Sequence, residues 1–333
     1  MLKKIISPLV KSDFTKKSVQ VELRQTKKLI DGELSTFLSS FQFDLKPQVE
    51  YALLSNGKKL RPLIVLLSAQ SVGGDQKKVL PLALAFELMH TSTLIQDDII
   101  DEDEFRRGIP ALYKKWSVQT AVLIGDVLIA LTVYLSSEYG EKIIKMISKT
   151  AIELCSGEYM DTLFSLKSAT EEEYFNITNK KSASLFQVAA RCGALAGEGS
   201  ILESDHLSMF GKNFGIAYQL RDDLLDIRID NDFFSKDLLN GRITLPLIHL
   251  YRMSNSKEKK TLEKMMENLK MKNMPDIEIA MKKIYHRLKE AGSIVYCEKK
   301  IDEYLQKAKE SLALLEESLY KACLIQMIES LKN

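Results

Sequence analysis

The stretch LIQDDIID, Leu94 to Asp101, sets three aspartates in a mostly apolar segment, and QLRDDLLD, Gln219 to Asp226, does so again. On a helix, Asp97 and Asp101 are i,i+4 and Asp98 and Asp101 are i,i+3, so these carboxylates share a face one turn apart; Asp222, Asp223 and Asp226 repeat the geometry. Like charges at that spacing destabilise a helix, and at its C-terminal end the macrodipole disfavours them further. A cation is needed to offset them. Two facing carboxylate clusters suit a hard divalent ion, Mg²⁺ best, because it takes one or two carboxylates and completes its shell with water or phosphate oxygens. One such motif alone reads equally well as a solvated acidic face. Two copies, each bordered by apolar residues (Leu94, Ile95, Ile99 and Ile100; Leu220, Leu224 and Leu225), do not.

Mg²⁺ held this way serves phosphate, so the chain should also supply cations. It does so at Lys58, Lys59 and Arg61 in GKKLRP, at Arg106-Arg107, at Lys180-Lys181 before Ser182, and at Lys236 and Arg242 after the second acidic motif. Arginine grips phosphate through a bidentate fork, and lysine acts as a point charge. Any one pair alone is an ordinary surface feature; their recurrence around two aspartate clusters is not.

The elements that position these groups read as helices. VLPLALAFELMHTSTLIQDDII continues its apolar pattern too long for a strand, and Val118 to Ser137, Lys142 to Phe164, Tyr174 to Ala196 and Asp205 to Leu225 have helical length and period. Asp276 to Leu331 reads as two or three charged amphipathic helices, and no strand pattern or low-complexity linker interrupts the chain. The expectation is an all-α protein, one domain over 1–333, with a frayed segment over 1–20. Composition agrees: of 333 residues 45% are hydrophobic and 28% charged, and 47 basic against 45 acidic side chains give a formal charge of +2, which lends no support to a nucleic-acid partner. Four dispersed cysteines form no zinc pattern and suit a reducing cytoplasm. No uninterrupted apolar run reaches the ~20 residues of a bilayer span, leaving at most peripheral membrane contact.

Taken together these motifs resemble the trans-type (all-E) polyprenyl diphosphate synthases over about Gly57 to Pro246. GKKLRP, ELMHTSTLIQDDIIDED, RRGIPALYKKW, GDVL, KSASLF, YQLRDDLLD and DLLNGRITLP follow the family's motifs in order. The resemblance implies the isoprenoid synthase fold, an antiparallel helical bundle around a deep apolar cavity, usually dimeric. It implies condensation of isopentenyl diphosphate with an allylic diphosphate, farnesyl or geranylgeranyl diphosphate being the expected primers. Three Mg²⁺ per site would be held by Asp97, Asp101 and Asp222 with support from Asp98, Asp223 and Asp226. Lys58, Arg61, His90 and Arg107 match the isopentenyl diphosphate site. Arg106, Lys181 and Gln219 match the allylic side, and Ser182 stands near the reacting carbons. A homodimer is expected, with a small non-catalytic second subunit as the alternative.

Three positions depart from the family pattern. Gln96 stands where long-chain members often carry His; the loop after Asp226 lacks the usual Gly-Lys, which Lys236 would replace from a shifted position; and Arg242 stands for a lysine. Thr93, Met89 and Phe86 fall near the face of Asp97, ~6, ~12 and ~16 Å below it at 1.5 Å per residue. Short-chain members carry an aromatic residue four or five places before the first aspartate, where this chain has Thr93 and Ser92. That opening, with Phe86 either a deeper floor or, like Met89, ordinary core, predicts a medium-to-long product of thirty to forty carbons for a quinone side chain, with a short-chain product of fifteen to twenty carbons as the alternative. A terpene cyclase of the same fold would carry a different second metal motif, and a non-catalytic subunit would have lost aspartates; all six are present.

Overall fold

Thr15 accepts the Ser18 amide at 3.1 Å and starts the first helix, α1 (Lys16–Ser40), so ordered structure begins inside the segment expected to fray. The computed structural model describes residues 14–53, 57–227, 235–271 and 277–332; the N-terminal stretch 1–13 lies outside the described residues. After α1 come α2 (Lys46–Leu53), α3 (Leu60–Ser71) and α4 (Gln76–Ile100), then the hairpin β1 (Phe105–Arg106) and β2 (Ile109–Pro110), α5 (Leu112–Lys115), α6 (Val118–Ser136) and α7 (Gly140–Leu163). The second half holds α8 (Glu171–Thr178), a π-helical segment (Asn179–Ala183), α9 (Ser184–Ala196), α10 (Ile201–Ile227) and α11 (Lys236–Leu239). It ends with α12 (Leu245–Met253), α13 (Ser256–Lys270), α14 (Ile277–Glu290), α15 (Ser293–Ser311) and α16 (Leu319–Glu329).

The all-α reading holds, with two local corrections. The expected helix Tyr174 to Ala196 is α8 and α9 joined by the π segment, and a two-residue antiparallel hairpin follows the first acidic motif. Strands that short carry no alternation to read. The two residues between them, Arg107 and Gly108, both have positive φ (53° and 82°), the geometry of a type I′ turn. The hairpin is tied down by the Tyr51 hydroxyl, which donates to the Pro110 carbonyl at 2.7 Å.

The centre of the molecule is built by α3, α4, α9 and α10, with α6 against α4 and α15 against α10. Phe86, Phe186, Phe210 and Phe214 are fully buried there. α4 must run straight to deliver His90 through Asp101, yet it carries Pro81 within its second turn. Tyr139 repairs the disturbed ladder: its hydroxyl accepts the Leu82 amide at 3.2 Å and donates to the Lys78 carbonyl at 2.6 Å. On the other wall, Gly157 of α7 faces the π segment so closely that a Cβ would sit 2.5 Å from the Lys181 amide. A side chain there would push Lys181 away.

By length and composition two stretches could cross a membrane, Gln76–Ile100 and Val118–Leu163, contrary to the absence of a span-length run expected from sequence. The first is 72% buried inside the protein and the second 39%. The less buried one exposes Val118, Val122, Leu123, Ile129, Val133 and Tyr134 along α6.

Candidate active site

The two acidic motifs line opposite walls of one polar cleft of about 620 Å³, with Asp97 and Asp101 on α4 and Asp222 and Asp226 on α10. Arg61, His90, Arg106, Arg107, Lys181, Ser182, Gln219 and Arg242 border the same space. Asp98 and Asp223 turn inward and are buried. Asp98 accepts Arg106 through Nε at 2.6 Å, and Asp223 accepts the Tyr174 hydroxyl at 2.5 Å and Gln219 Nε2 at 2.7 Å. Asp226 accepts the Ser235 hydroxyl at 2.6 Å and the Asp237 amide at 2.9 Å. These hydrogen bonds tie the three carboxylates to the walls of the cleft. The Lys236 backbone opens α11, but its side chain lies outside the described residues.

Most of the cations are already paired. Lys181, on the π segment, meets Glu158 at 2.8 Å and Asp161 at 2.7 Å from α7. Arg242 pairs with Asp101 and, at 3.3 Å, with Asp237. Ser182 donates to Gln219 Oε1 at 2.5 Å, fixing that amide so that its nitrogen serves Asp223. π-helical turns widen a helix by one residue and recur at functional sites; this one sets Lys181 against the carboxylates of α7 and Ser182 against α10. Sequence reading missed Glu158, Asp161, Tyr174 and Tyr218. For the first two the signal was present: Gly157-Glu158 and Asp161 place two carboxylates at i,i+3 near the C-terminal end of one helix.

Burial shapes the charges. It raises the Asp97 carboxyl to about 7, with Glu158 and Asp101 adding repulsion that Lys181 and Arg242 only partly offset. Asp223 rises to about 6 and Asp237 to about 8 for the same first reason, and Asp98 and Asp222 also rise. Burial alone would lower the Lys181 and Arg242 charges, but the surrounding carboxylates outweigh it and push both above their usual ranges. Burial, then Arg61 and Arg107, hold His90 well below the usual imidazole range. His90 is thus neutral, and its Nε2 accepts from Arg61 at 3.0 Å. Burial brings Arg61, 4.2 Å from the Phe186 ring centroid, down to about 10.

Among the described residues no three His, Cys, Asp or Glu side chains converge to enclose a metal by themselves. That fits Mg²⁺ or a similar ion, which needs only one or two carboxylates when phosphate oxygens and water complete its shell. Asp97 with Asp101, and Asp222 with Asp226, offer such incomplete oxygen sets. The upward shifts at Asp97 and Asp222 are those of carboxylates awaiting more positive charge.

An apolar groove of about 460 Å³ adjoins the cleft between α4, α6 and α7, lined by Met89, Ser92, Thr93, Gln96, Val122, Ile129, Ala151, Leu154 and Cys155 among others. Thr93, Asp97, Leu154 and Lys181 border both spaces and form the threshold between them. Phe86 does not line the groove: it is 1% exposed in the core, and on α4 the lining ends at Met89. Of the two readings of Phe86, this placement favours ordinary core over a floor. Ser92 is buried too, its hydroxyl donating to the Gly125 carbonyl of α6 at 3.2 Å.

The polyprenyl synthetase family model matches residues 44–284. A geranylgeranyl diphosphate synthase of Methanosarcina mazei is 34% identical over 295 residues, covering 84% of this chain and 86% of the relative. A geranylfarnesyl diphosphate synthase of the same organism is 37% identical over 227 residues, 68% and 75% of the two chains. The crystal structure of a geranylgeranyl pyrophosphate synthetase from Pyrococcus horikoshii superimposes with a TM-score of 0.86 at 30% identity, covering 95% of this chain and 98% of that one.

Proposed function

Because this chain belongs to the polyprenyl synthetase family and is a prenyltransferase making polyprenyl diphosphates, we propose that it extends an allylic diphosphate with isopentenyl diphosphate to a short all-trans product of about twenty to twenty-five carbons, the sizes that the names of the two Methanosarcina mazei relatives indicate. The observation that carries this reading is the shared threshold: a polar, cation-rich cleft opens directly onto an apolar groove at Thr93, Asp97, Leu154 and Lys181. A diphosphate fits the first and a growing hydrocarbon the second.

The roles follow from position. Asp97, Asp101 and Asp222 would hold divalent ions, with Asp226 behind them. Such ions, when bound, supply charge that stabilises the diphosphate leaving from the allylic carbon. Lys181 and Arg242 turn from their carboxylate partners to phosphate oxygens, and Arg106, held by Asp98, faces the same group. Arg61, His90, Arg107 and Lys58 receive isopentenyl diphosphate. Neutral His90, accepting from Arg61, orients that guanidinium and offers its other nitrogen as a donor. Gln219 and Ser182 hold the region where the carbons meet, and the apolar threshold keeps water from the allylic cation until the double bond of isopentenyl diphosphate attacks it and the adduct loses a proton to the departed diphosphate.

The exposed apolar face of α6 carries Asp126 in its middle, also exposed, which suits lipid poorly and suits a protein partner. A second copy of the chain is the proposed cover. Incubation of the purified chain alone with Mg²⁺, labelled isopentenyl diphosphate and farnesyl diphosphate tests the whole reading. Products of twenty to twenty-five carbons support it; products of thirty carbons or more contradict the length assignment, and no product without an added subunit contradicts self-sufficiency.

A further inference from the structure

Lys59 and Glu87 form a buried ion pair that the roles above leave unused. The Lys59 ammonium lies 2.9 Å from Glu87 Oε1 and donates to the Leu53 carbonyl, also at 2.9 Å. Lys59 is 6% exposed and Glu87 1%. Leu53 is the last residue of α2, Lys59 directly precedes α3, and Glu87 lies on α4 one turn before His90. One ammonium therefore ties three helices together. The Lys59 backbone is left-handed, φ 52° and ψ 38°, a conformation that a residue with a side chain keeps only where its surroundings hold it. The second Glu87 oxygen, Oε2, is buried with no hydrogen-bond partner among the described residues.

We propose that Lys59 and Glu87 are positioning residues: their buried ion pair pins the GKKLRP loop so that its Lys58 and Arg61 meet the diphosphate of isopentenyl diphosphate. Stability alone does not account for the pair. Taking both charges out of water offsets most of their attraction, and apolar side chains of similar volume often serve as well or better. An incompletely satisfied pair does worse still. What an apolar pair cannot do is hold one backbone geometry by a directed bond. Lys59 stands directly after Lys58 and two places before Arg61, so a loop released from its left-handed turn carries both cations with it. Gly57 of the same loop abuts the Arg107 guanidinium so closely that a Cβ would lie 2.6 Å from Nη1, and the shift would reach that arginine too. The pair also acts through its charges. Burial lowers the Arg61 charge while Tyr218 and Glu87 oppose it, and Lys59 adds to burial, Arg61 and Arg107 in keeping His90 neutral.

The inference rests on the reading of Lys58, Arg61, His90 and Arg107 as the isopentenyl diphosphate site, and its test separates the two. Lys59→Met alone strands the Glu87 charge and should lower the melting midpoint. The double variant Lys59→Met with Glu87→Leu replaces the pair by apolar side chains and should melt near wild type. Equilibrium binding of isopentenyl diphosphate to the full chain, without allylic substrate, is read below every melting midpoint, alongside kcat and KM for both substrates. In the double variant binding should weaken and KM for isopentenyl diphosphate rise on the order of tenfold, the scale of one displaced contact to a charged group. Its allylic KM and its kcat at saturation should stay near wild type, a split that a merely structural pair would not produce. Glu87→Gln keeps an acceptor for the Lys59 ammonium and should fall between. Wild-type binding in the double variant, or equal rises in both KM values, would overturn the proposal. Arg61→Ala in the same assay tests the site itself: weakened binding there leaves the site reading intact whatever the double variant does, and unchanged binding would overturn both.

Discussion

Arg242 and Asp101, 141 positions apart in sequence, meet across the cleft in an ion pair that Asp237 shares. Asp101 is also one of the carboxylates proposed to hold metal. The arginine brings positive charge to both carboxylates. Arg242→Ala should leave Asp101 without its cation and lower stability in metal-free buffer by roughly 1–3 kcal/mol, discounted for partial exposure. Mg²⁺ with inorganic pyrophosphate should recover most of that loss, and Arg242→Lys should fall between the two. Thermal melts with and without these ions check it; an Arg242→Ala protein as stable as wild type without metal would show that the pair is idle.

The raised carboxylates predict an unusual pH dependence. Asp97 titrates near 7 and Asp237 near 8 in the folded chain, both above the unfolded aspartate value. Folding then takes up protons, so their contribution to stability is full at low pH and is lost as pH rises through 7 and 8. His90 works the other way, but only below the unfolded histidine value near 6.5, since its folded value is depressed. Between pH 6.5 and 8.5 the aspartates set the slope. Metal-free protein should lose roughly 1–2 kcal/mol across that window, a few degrees in Tm, and Asp237→Asn should flatten the fall. A Tm rising from pH 6.5 to 8.5 would contradict these assignments.

Length control should reside at the threshold and at Met89, not at Phe86. Thr93→Phe places a ring where cleft and groove meet and should stop growth near fifteen carbons, with the first condensation continuing. Met89→Ala should lengthen the product by at least one isoprene unit. Phe86→Ala should leave the product unchanged and destabilise the chain by about 3–5 kcal/mol, as removal of a core ring does. Product chromatography and melts on the same preparations distinguish these outcomes; a longer product from Phe86→Ala would restore the deeper floor.

The two diphosphate sites should separate kinetically. Arg61→Ala and His90→Ala should raise KM for isopentenyl diphosphate about tenfold or more and leave the allylic KM nearly unchanged, the scale of a charge-assisted hydrogen bond. Lys181→Ala should do the reverse. Steady-state titration of each substrate at saturating partner decides it, and parallel effects of all three on both substrates would undo the partition.

What the sequence revealed and what it hid have physical causes. Asp97 with Asp101 and Asp222 with Asp226 were legible because helical spacing alone fixes which carboxylates share a face. Their meeting across one cleft is consistent with that reading. The partners of Lys181 were not legible, because Glu158 and Asp161 reach it only where Gly157 lets α7 close on the π segment. Phe86 stayed open between floor and core since periodicity gives an angle around α4 but not the depth at which the groove lining ends. The Arg107-Gly108 turn escaped notice because two-residue strands leave no pattern, although it carries one of the cleft's arginines.

The central claim is that the two aspartate walls act together through divalent metal on an allylic diphosphate. Turnover of labelled isopentenyl diphosphate with farnesyl diphosphate, measured for wild type, Asp97→Ala and Asp222→Ala across a Mg²⁺ titration, tests it most directly. Wild type should be inactive in chelator and saturate with Mg²⁺. Each variant should remain folded by thermal melt yet lose at least about 10²-fold in kcat, on the order of 3 kcal/mol of transition-state stabilisation. Wild-type turnover in chelator, or near wild-type turnover in either variant at saturating Mg²⁺, would contradict it.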